Sequence, residues 1–509
     1  ATTTAGAQDF PSIHSLSDGG FVVSWQSAGQ DGDGIGLYAR LFGADGEPAS
    51  AEFLVNQSTV GDQRGDFVNV TQLENGDLVF AWWGAGSDGN GVYTRRFDIP
   101  DSGGATPTPG DDVLTGTPGG DVMDLSAGGD DTVSGGAGDD GFFFGAAYTS
   151  GDVVDGGAGT LDQIGLQGDY AGGVTLGAIT GVEMLVLITG TDNRFGGATG
   201  SNLSYAITAT NASVAAGFTL AVQANTLRAG EAFTFNGAAE LDGAFLTFGG
   251  LGTDMLTGGQ QSDGFFFGIG RWGASDRVDG QGGTMDQLGL QGDYSGANAI
   301  TFGASQLVSI ETIALLSGTD SRFSDGGAGF DYDLTLADAN VLIGTTFAIN
   351  ASLLQAGESL TLNASAESDV GITVFGGAGD DVLVLGRQDD RITGGGGADL
   401  LTGGLGDDRF IYVSAADSTA SARDHILDFT LGDRIDLSAI DANSANGAST
   451  NDAFEFIGAM AFSAGVPGQL RAVSVNGIWT VEGDIDGDAI ADFSIQVTAA
   501  SLTAAEFIL

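Results

Sequence analysis

Residues 376–411 read GGAGDDVLV, LGRQDDRIT, GGGGADLLT and GGLGDDRFI, four nine-residue units in register. Asp381, Asp390, Asp399 and Asp408 recur every nine residues, and two positions after each stands an apolar side chain: Leu383, Ile392, Leu401 and Phe410. Glycine fills most positions ahead of each Asp. It reaches φ > 0 conformations that a Cβ resists, so this half of each unit reads as a turn. The other half reads as a three-residue strand with one side chain pointing inward. Two units then make one coil of a flattened solenoid, which stacks Asp381 on Asp399 and Asp390 on Asp408. Neighbouring strands in such a stack lie about 4.8 Å apart. Bare carboxylates at that separation repel by about 1 kcal/mol in water, and by about 3–4 kcal/mol at an effective dielectric near 20. A hard divalent cation held by carboxylates and turn carbonyls removes the repulsion, and calcium accepts that irregular all-oxygen shell best.

A first block of the same kind precedes it: GDDVLT, GTPGGDVMD, LSAGGDDTVS, GGAGDDGFF. Asp112, Asp121, Asp131 and Asp140 take the repeat position at spacings of nine, ten and nine, the ten implying one inserted residue near Leu125. A shorter remnant, GGLGTDMLT then GGQQSDGFF, places Asp254 and Asp263 nine apart, with Gln261 in place of a glycine. In the second unit of the main block Leu385 and Gln388 also replace glycines, which weakens that turn as a cation site.

These nonapeptides resemble those of the RTX (repeats-in-toxin) proteins, whose repeat forms a calcium-binding β-helix. The resemblance implies a parallel β-roll with calcium between turns, folding outside the cell after type I secretion. After Phe410 the stretch RFIYVSAADSTASARDHILDFTLGDRIDLSAIDAN (409–443) resembles the C-terminal domain of serralysin-type secreted proteins. An atypical terminal cap is the expected remedy for the open edge of a solenoid. Within it GDIDGDAIADF (483–493) offers Asp484, Asp486, Asp488 and Asp492 around Gly487, either a calcium loop or an acidic hairpin tip. The final EFIL, one acidic residue before three apolar ones, is similar to the uncleaved type I secretion signals of that family.

Between the blocks lies a tandem repeat. GFFFG (141–145) matches GFFFG (264–268), LDQIGLQGDYAG (161–172) matches MDQLGLQGDYSG (285–296), TGTDNRF (189–195) matches SGTDSRF (317–323), and LRAGEAF (227–233) matches LQAGESL (354–360). The short alternating strands between these anchors predict further solenoid coils without helices. The Phe triplets 142–144 and 265–267 read as core and edge packing, with a ligand-stacking platform as the alternative. At the N-terminus a two-fold repeat pairs SDGGFVVSW (17–25) with ENGDLVFAW (74–82) and GQDGDGIGLYARLF (29–42) with GSDGNGVYTRRF (86–97). Alternation around Asp-Gly and Asn-Gly turns predicts antiparallel hairpins, with Trp25 and Trp82 in the core. Its acidic tips, Asp31 and Asp33 in one copy and Asp88 and Asn90 in the other, are candidate ligands or plain turn residues. The start at ATTTAGAQD looks like the tail of an earlier copy, which points to a longer precursor.

The expected fold is therefore all-β: a right-handed parallel β-solenoid or β-roll with calcium-binding turns, preceded by a small antiparallel β-repeat domain and ended by a β-rich cap. The expected divisions are 1–100 (antiparallel repeats), 101–109 (linker), 110–143 (first nonapeptide block), 144–263 and 264–375 (solenoid modules), 376–411 (second block) and 412–509 (cap and secretion signal).

Composition narrows the function. Net charge is −52, from 67 acidic and 15 basic residues, every one of the latter an arginine. Such a chain repels nucleic acid and anionic membrane, while 42% hydrophobic residues let it build a core. Cysteine is absent, which removes disulfides and Cys-ligated zinc. No HExxH occurs, the only histidines are His14 and His425, both read as structural, and no GxSxG is present. The expectation is a non-catalytic, secreted, calcium-dependent structural protein of the bacterial surface: a surface layer, filament or matrix subunit. Its partners would be calcium, further copies of itself, the type I secretion machinery and cell-surface polysaccharide, with no nucleic acid and no membrane insertion. The alternatives are an adhesin, the carrier tail of a larger secreted protein, or a polysaccharide-acting enzyme.

Overall fold

The computed structural model describes residues 7–97 except 17–18, 31–33, 44–45, 47, 49–51, 57–60, 74–77 and 87–88, and residues 107–509 except 195–199, 324–326, 328, 342–343, 345 and 445–450. It is all-β; the helical segments described are three-residue 3₁₀ turns. The chain divides into two compact units, Ala1–Leu166 with Ala178–Met184, and Gln167–Gly177 with Leu185–Leu509.

The first unit opens with two antiparallel sheets. Gln8–Ser15, Phe21–Ala28, Ile35–Phe42 and Phe53–Leu54 form one, and Gln63–Gln72, Leu78–Gly86 and Gly89–Phe97 the other. The internal repeat is visible in the cross-strand pairs. Trp25 faces Tyr38 and Trp82 faces Tyr93, with ring centroids 6.5 and 6.2 Å apart. Val22, Leu37, Phe80 and Trp82 are buried in a shared core.

From Val113 the same unit changes to short parallel strands. Val113–Thr115, Thr132–Ser134, Val153–Asp155 and Ile179–Thr180 stack on one face, and Val122–Asp124, Gly141–Gly145 and Gln163–Leu166 on the other. The inserted residue predicted near Leu125 is accommodated in a turn. Leu125 is itself buried, and its N–H donates to the Phe143 carbonyl.

In the second unit one parallel ladder runs through Thr219–Gln223, Ala244–Phe248, Gly264–Phe267, Gln287–Leu290, Thr312–Leu315, Phe347–Asn350, Ile372–Gly377, Arg391–Gly395, Arg409–Ile411, Arg434–Asp436 and Phe507–Ile508. The opposite face carries Leu360–Asn363, Val382–Val384, Leu400–Thr402 and His425–Ile426 in the same parallel register. The coils therefore continue past Ile411. They end on antiparallel strands Gln469–Val475, Ile478–Asp484 and Phe493–Thr498, the last of which pairs with His425–Ile426. The inward side chains Leu383, Ile392, Leu401 and Phe410 are all buried. Each contributes roughly 1.5–3 kcal/mol of hydrophobic stabilisation, so a three-residue strand suffices when every coil adds two such residues.

Candidate metal ladders

The stacking inferred from the nine-residue spacing is realised by hydrogen bonds. The backbone N–H of Asp381 donates to Oδ1 of Asp399 at 2.9 Å, 18 residues on, and that of Asp390 donates to Oδ1 of Asp408 at 2.9 Å. In the first block Asp112 N–H donates to Asp131 Oδ1 and Asp121 N–H to Asp140 Oδ1, at 2.9 and 2.7 Å, across coils of 19 residues. Asp131, Asp140, Asp263, Asp381, Asp390, Asp399 and Asp408 thus each tie down the coil before them. The first rungs have no Asp ahead of them, and there Thr108 and Thr117 donate to Asp112 and Asp121 instead.

The ladders are longer than the nonapeptides. Asp131 N–H donates to Asp152, Asp140 N–H to Asp162, and Asp162 N–H to Glu183. In the second unit Asp254 reaches Asp276, Asp263 reaches Asp286 and Asp286 reaches Glu311. Asp399 and Asp408 donate onward to Asp424 and Asp433, each across 25 residues. None of these eight acceptors is among the residues the nine-residue period picks out, because each lies 21–25 residues beyond its donor rather than 18 or 19. The signal that remains is an acidic residue two positions before a buried apolar one: Asp162–Ile164, Asp286–Leu288, Asp424–Ile426, Asp433–Ile435.

These carboxylates are buried but incompletely partnered. Oδ2 of Asp131, Asp140, Asp162, Asp399 and Asp424, and Oδ1 of Asp254, lie buried with no hydrogen-bond partner. Burial pushes the Asp254 and Asp399 carboxyls up to about 8, with the neighbouring Asp276 and Asp424 charges adding to it. Asp286, Asp390 and Asp424 rise to about 7, and Asp140, Asp263, Asp381 and Asp408 to about 6, burial leading in each case. Leaving a buried polar group unpaired costs about 1–3 kcal/mol, more when it is charged. The turns beside them are closed to side chains. A Cβ at Gly394 would meet Asp399 Oδ2 at 2.2 Å, and one at Gly397, where φ is +119°, would meet the Gly379 carbonyl at 2.2 Å. Oxygen-only donors, backbone carbonyls packed against carboxylates, and orphaned buried carboxylate oxygens are the donor set of a calcium site; the residues present fit that ion.

Two turns depart from this arrangement. Where Gln261 and Gln388 replace glycine, each side-chain amide donates to a carbonyl of the coil before it, Leu241 at 2.9 Å and Ser368 at 2.7 Å. There a neutral side-chain donor satisfies the carbonyl.

A different solution occurs in the tandem modules. Glu231 accepts from the N–H groups of Gly190, Leu203 and Arg228, from Thr189 Oγ1 and from the Arg228 guanidinium. Burial alone would raise its pKa, but those donors outweigh it and hold the carboxyl at about 2. Its counterpart Glu358 accepts from Gly318, Phe330 and Gln355 N–H at 2.7–2.9 Å and is likewise held low.

In the C-terminal loop Asp484, Asp486 and Asp492 bring carboxylate oxygens within 4.8 Å of one another. Asp488 is not part of that group; its Oδ1 accepts from Ile490 N–H. Asp484 is already engaged by Gly487 and Ala489 N–H. His425 bonds Thr498 Oγ1 through Nε2 at 2.8 Å, and His14 sits on the strand Gln8–Ser15. The Phe triplets are buried. The acidic tips of the N-terminal repeat, Asp31, Asp33 and Asp88, lie outside the described residues, as does the side chain of Asn90.

Comparison with protein families agrees with this arrangement. Residues 345–509 match the peptidase M10 serralysin C-terminal family. Residues 108–142 and 127–147 match the RTX calcium-binding nonapeptide repeat (4 copies). No curated protein matches the chain. Among the described residues no helix is long and apolar enough to cross a membrane. The stacked aspartate turns and the C-terminal coils thus coincide with matched segments: the chain carries RTX calcium-binding nonapeptide repeats and a serralysin-type C-terminal domain, which indicate a secreted, calcium-binding protein.

Proposed function

We propose that this protein is a non-catalytic structural subunit of the bacterial cell surface, exported by the type I route and assembled with calcium. In this reading Asp112, Asp121, Asp131, Asp140, Asp254, Asp263, Asp381, Asp390, Asp399 and Asp408 hold ions between coils, and Asp484, Asp486 and Asp492 hold one in the C-terminal loop. When bound, calcium neutralises the stacked carboxylates; the chain's own residues set the coil spacing and exclude water from the inner row.

One observation supports assembly in particular. Beside the buried row runs a second, exposed row one residue earlier: Asp111, Asp130, Asp139, Asp380, Asp389 and Asp407. Asp380 and Asp389 use one oxygen to cap the next coil, at Ala398 and Asp407 N–H, and the carboxylates face solvent. In a chain of net charge −52, copies repel one another until a divalent ion bridges such rows.

A calcium titration of EDTA-treated protein, followed by circular dichroism and negative-stain microscopy, tests this. β-structure and ordered arrays or fibres should rise together. The triple variant Asp380→Asn, Asp389→Asn, Asp407→Asn should fold with calcium and fail to assemble. Wild-type particles that fold yet stay monomeric at every calcium concentration rule the assembly role out.

A further inference from the structure

The loop that follows Thr312–Leu315 is a built structure. Gln291, fully buried, donates from Nε2 to the carbonyls of Ser317 and Asp320 at 3.3 and 2.7 Å. Glu358 holds Gly318 N–H and Phe330 N–H, and Tyr332 Oη donates to Leu316 O at 2.6 Å. Asp320 clasps Arg322 through both carboxylate oxygens at 2.6–3.0 Å. Binding residues are typically carried on loops that a rigid scaffold positions.

What this loop presents is one wall of a groove of about 240 Å³ on the outer face of the sheet. Phe323 folds back over Phe266 and Phe248, with ring centroids 4.2 and 5.6 Å away, and remains half-exposed. The floor is small, with Gly289 and Ala314 among its residues. At the rim stand Gln287, Asn350 and Arg322. Among the described residues the Gln287 amide, Asn350 Nδ2 and Arg322 Nη1 make no hydrogen bond, while Asn350 Oδ1 is occupied by Ser352.

We propose that this groove binds a residue of a neutral hexose glycan. Binding pockets characteristically combine apolar lining with a few convergent polar groups. A pyranose ring matches both. Its C–H face lies against the electron-rich face of Phe323, and its equatorial hydroxyls meet amide and guanidinium donors. Those donors stand exposed beside the groove, where a hydroxylated ligand can engage them and an aliphatic one cannot. An anionic glycan finds no free positive charge, because Asp320 already neutralises Arg322, and the net charge of the chain repels it. The first module repeats the same residue types in sequence, with Gln163, Gln223 and Arg194 at the equivalent positions.

The inference deepens the surface reading by naming a partner, and its test is separate: a chain that never assembles can still bind sugar, and one that assembles can fail to. The calcium-loaded full chain is titrated calorimetrically with laminarihexaose, cellohexaose and maltohexaose, and with hexagalacturonate as the charged counterpart. At least one neutral oligosaccharide should bind saturably, and Phe323→Ala should weaken it tenfold or more. Gln287→Ala, at an exposed and unbonded side chain, should weaken it at least threefold with unchanged circular dichroism. No saturable binding of any neutral oligosaccharide, binding of hexagalacturonate alone, or binding indifferent to both variants overturns the proposal. So does a dimer in sedimentation that either variant abolishes, which would give the groove to a second copy.

Discussion

Asp399 and Glu358 are both buried carboxylates on turns of the same solenoid, yet their surroundings drive them in opposite directions. Oδ1 of Asp399 receives one N–H, and its Oδ2 receives none. Glu358 receives three N–H groups across both oxygens. The carboxyl of Asp399 is pushed up to about 8, while that of Glu358 is held below its ordinary value. At Asp399 burial and the Asp424 charge beside it prevail, whereas at Glu358 the N–H donors outweigh burial. The nonapeptide turns are unfinished without a cation, whereas the glutamate turns are complete as folded.

The largest expected effect follows from chelation across pH. A carboxyl whose folded pKa lies above its unfolded value favours folding below the unfolded value, and that contribution is lost as pH rises through the folded one. For Asp254 and Asp399 that window runs from about 4 to about 8. Glu231 is the reverse: its contribution is present above about 4.5 and lost as pH falls towards about 2. In EDTA, hydrogen exchange should show the coils around residues 376–411 opening as pH rises from 4 to 8. The turn around Glu231 should stay protected throughout that range and loosen only in stronger acid. Calcium should erase the first dependence and leave the second. If both regions open together in the same direction, the distinction fails.

Single substitutions sharpen it. Asp399→Asn should have opposite signs in the two conditions. With calcium at 100-fold excess over its dissociation constant, losing one site costs about 2.7 kcal/mol; in chelator above pH 8 the variant should be the more stable, since a buried charge is gone. Glu358→Gln should destabilise with and without calcium alike, by about 1.5–3 kcal/mol for a charged acceptor lost. Thermal melts of both variants in calcium and in EDTA read the pattern directly. The smallest change is Gln261→Gly, which restores the glycine turn before Asp263. Calcium at that turn should bind more tightly, read as a lower dissociation constant in calorimetric titration. The metal-free form should lose about 1 kcal/mol with the amide bond to Leu241.

How far the residues alone disclose this varies along the chain. Where glycine, aspartate and an apolar residue keep a strict period, coil pairing and carboxylate stacking follow from spacing, as at Asp381 and Asp399. The continuation through Asp152, Asp162, Asp424 and Asp433 was hidden because coil length drifts from 18 to 25 residues, which destroys the period while leaving the ladder intact. Glu231 and Glu358 were seen only as matching letters in a tandem repeat. Their role depends on N–H groups supplied by loops up to 41 residues away, which no local pattern encodes. The same holds for the groove at Phe323, whose parts come from five strands and two loops.

The one-way order of the rungs, each carboxylate gripping the coil before it, has a mechanical consequence. Pulled from its ends, such a stack does not shear as a block; it peels, one coil per event. At about 3.5 Å of contour per residue, an 18-residue coil should release roughly 60–65 Å and a 25-residue coil roughly 85–90 Å. A force-extension trace in calcium would then be a ruler of coil length. Its short steps would mark the two nonapeptide blocks and its longer ones the coils beyond them, with forces that fall when calcium is withdrawn wherever a coil carries stacked carboxylates.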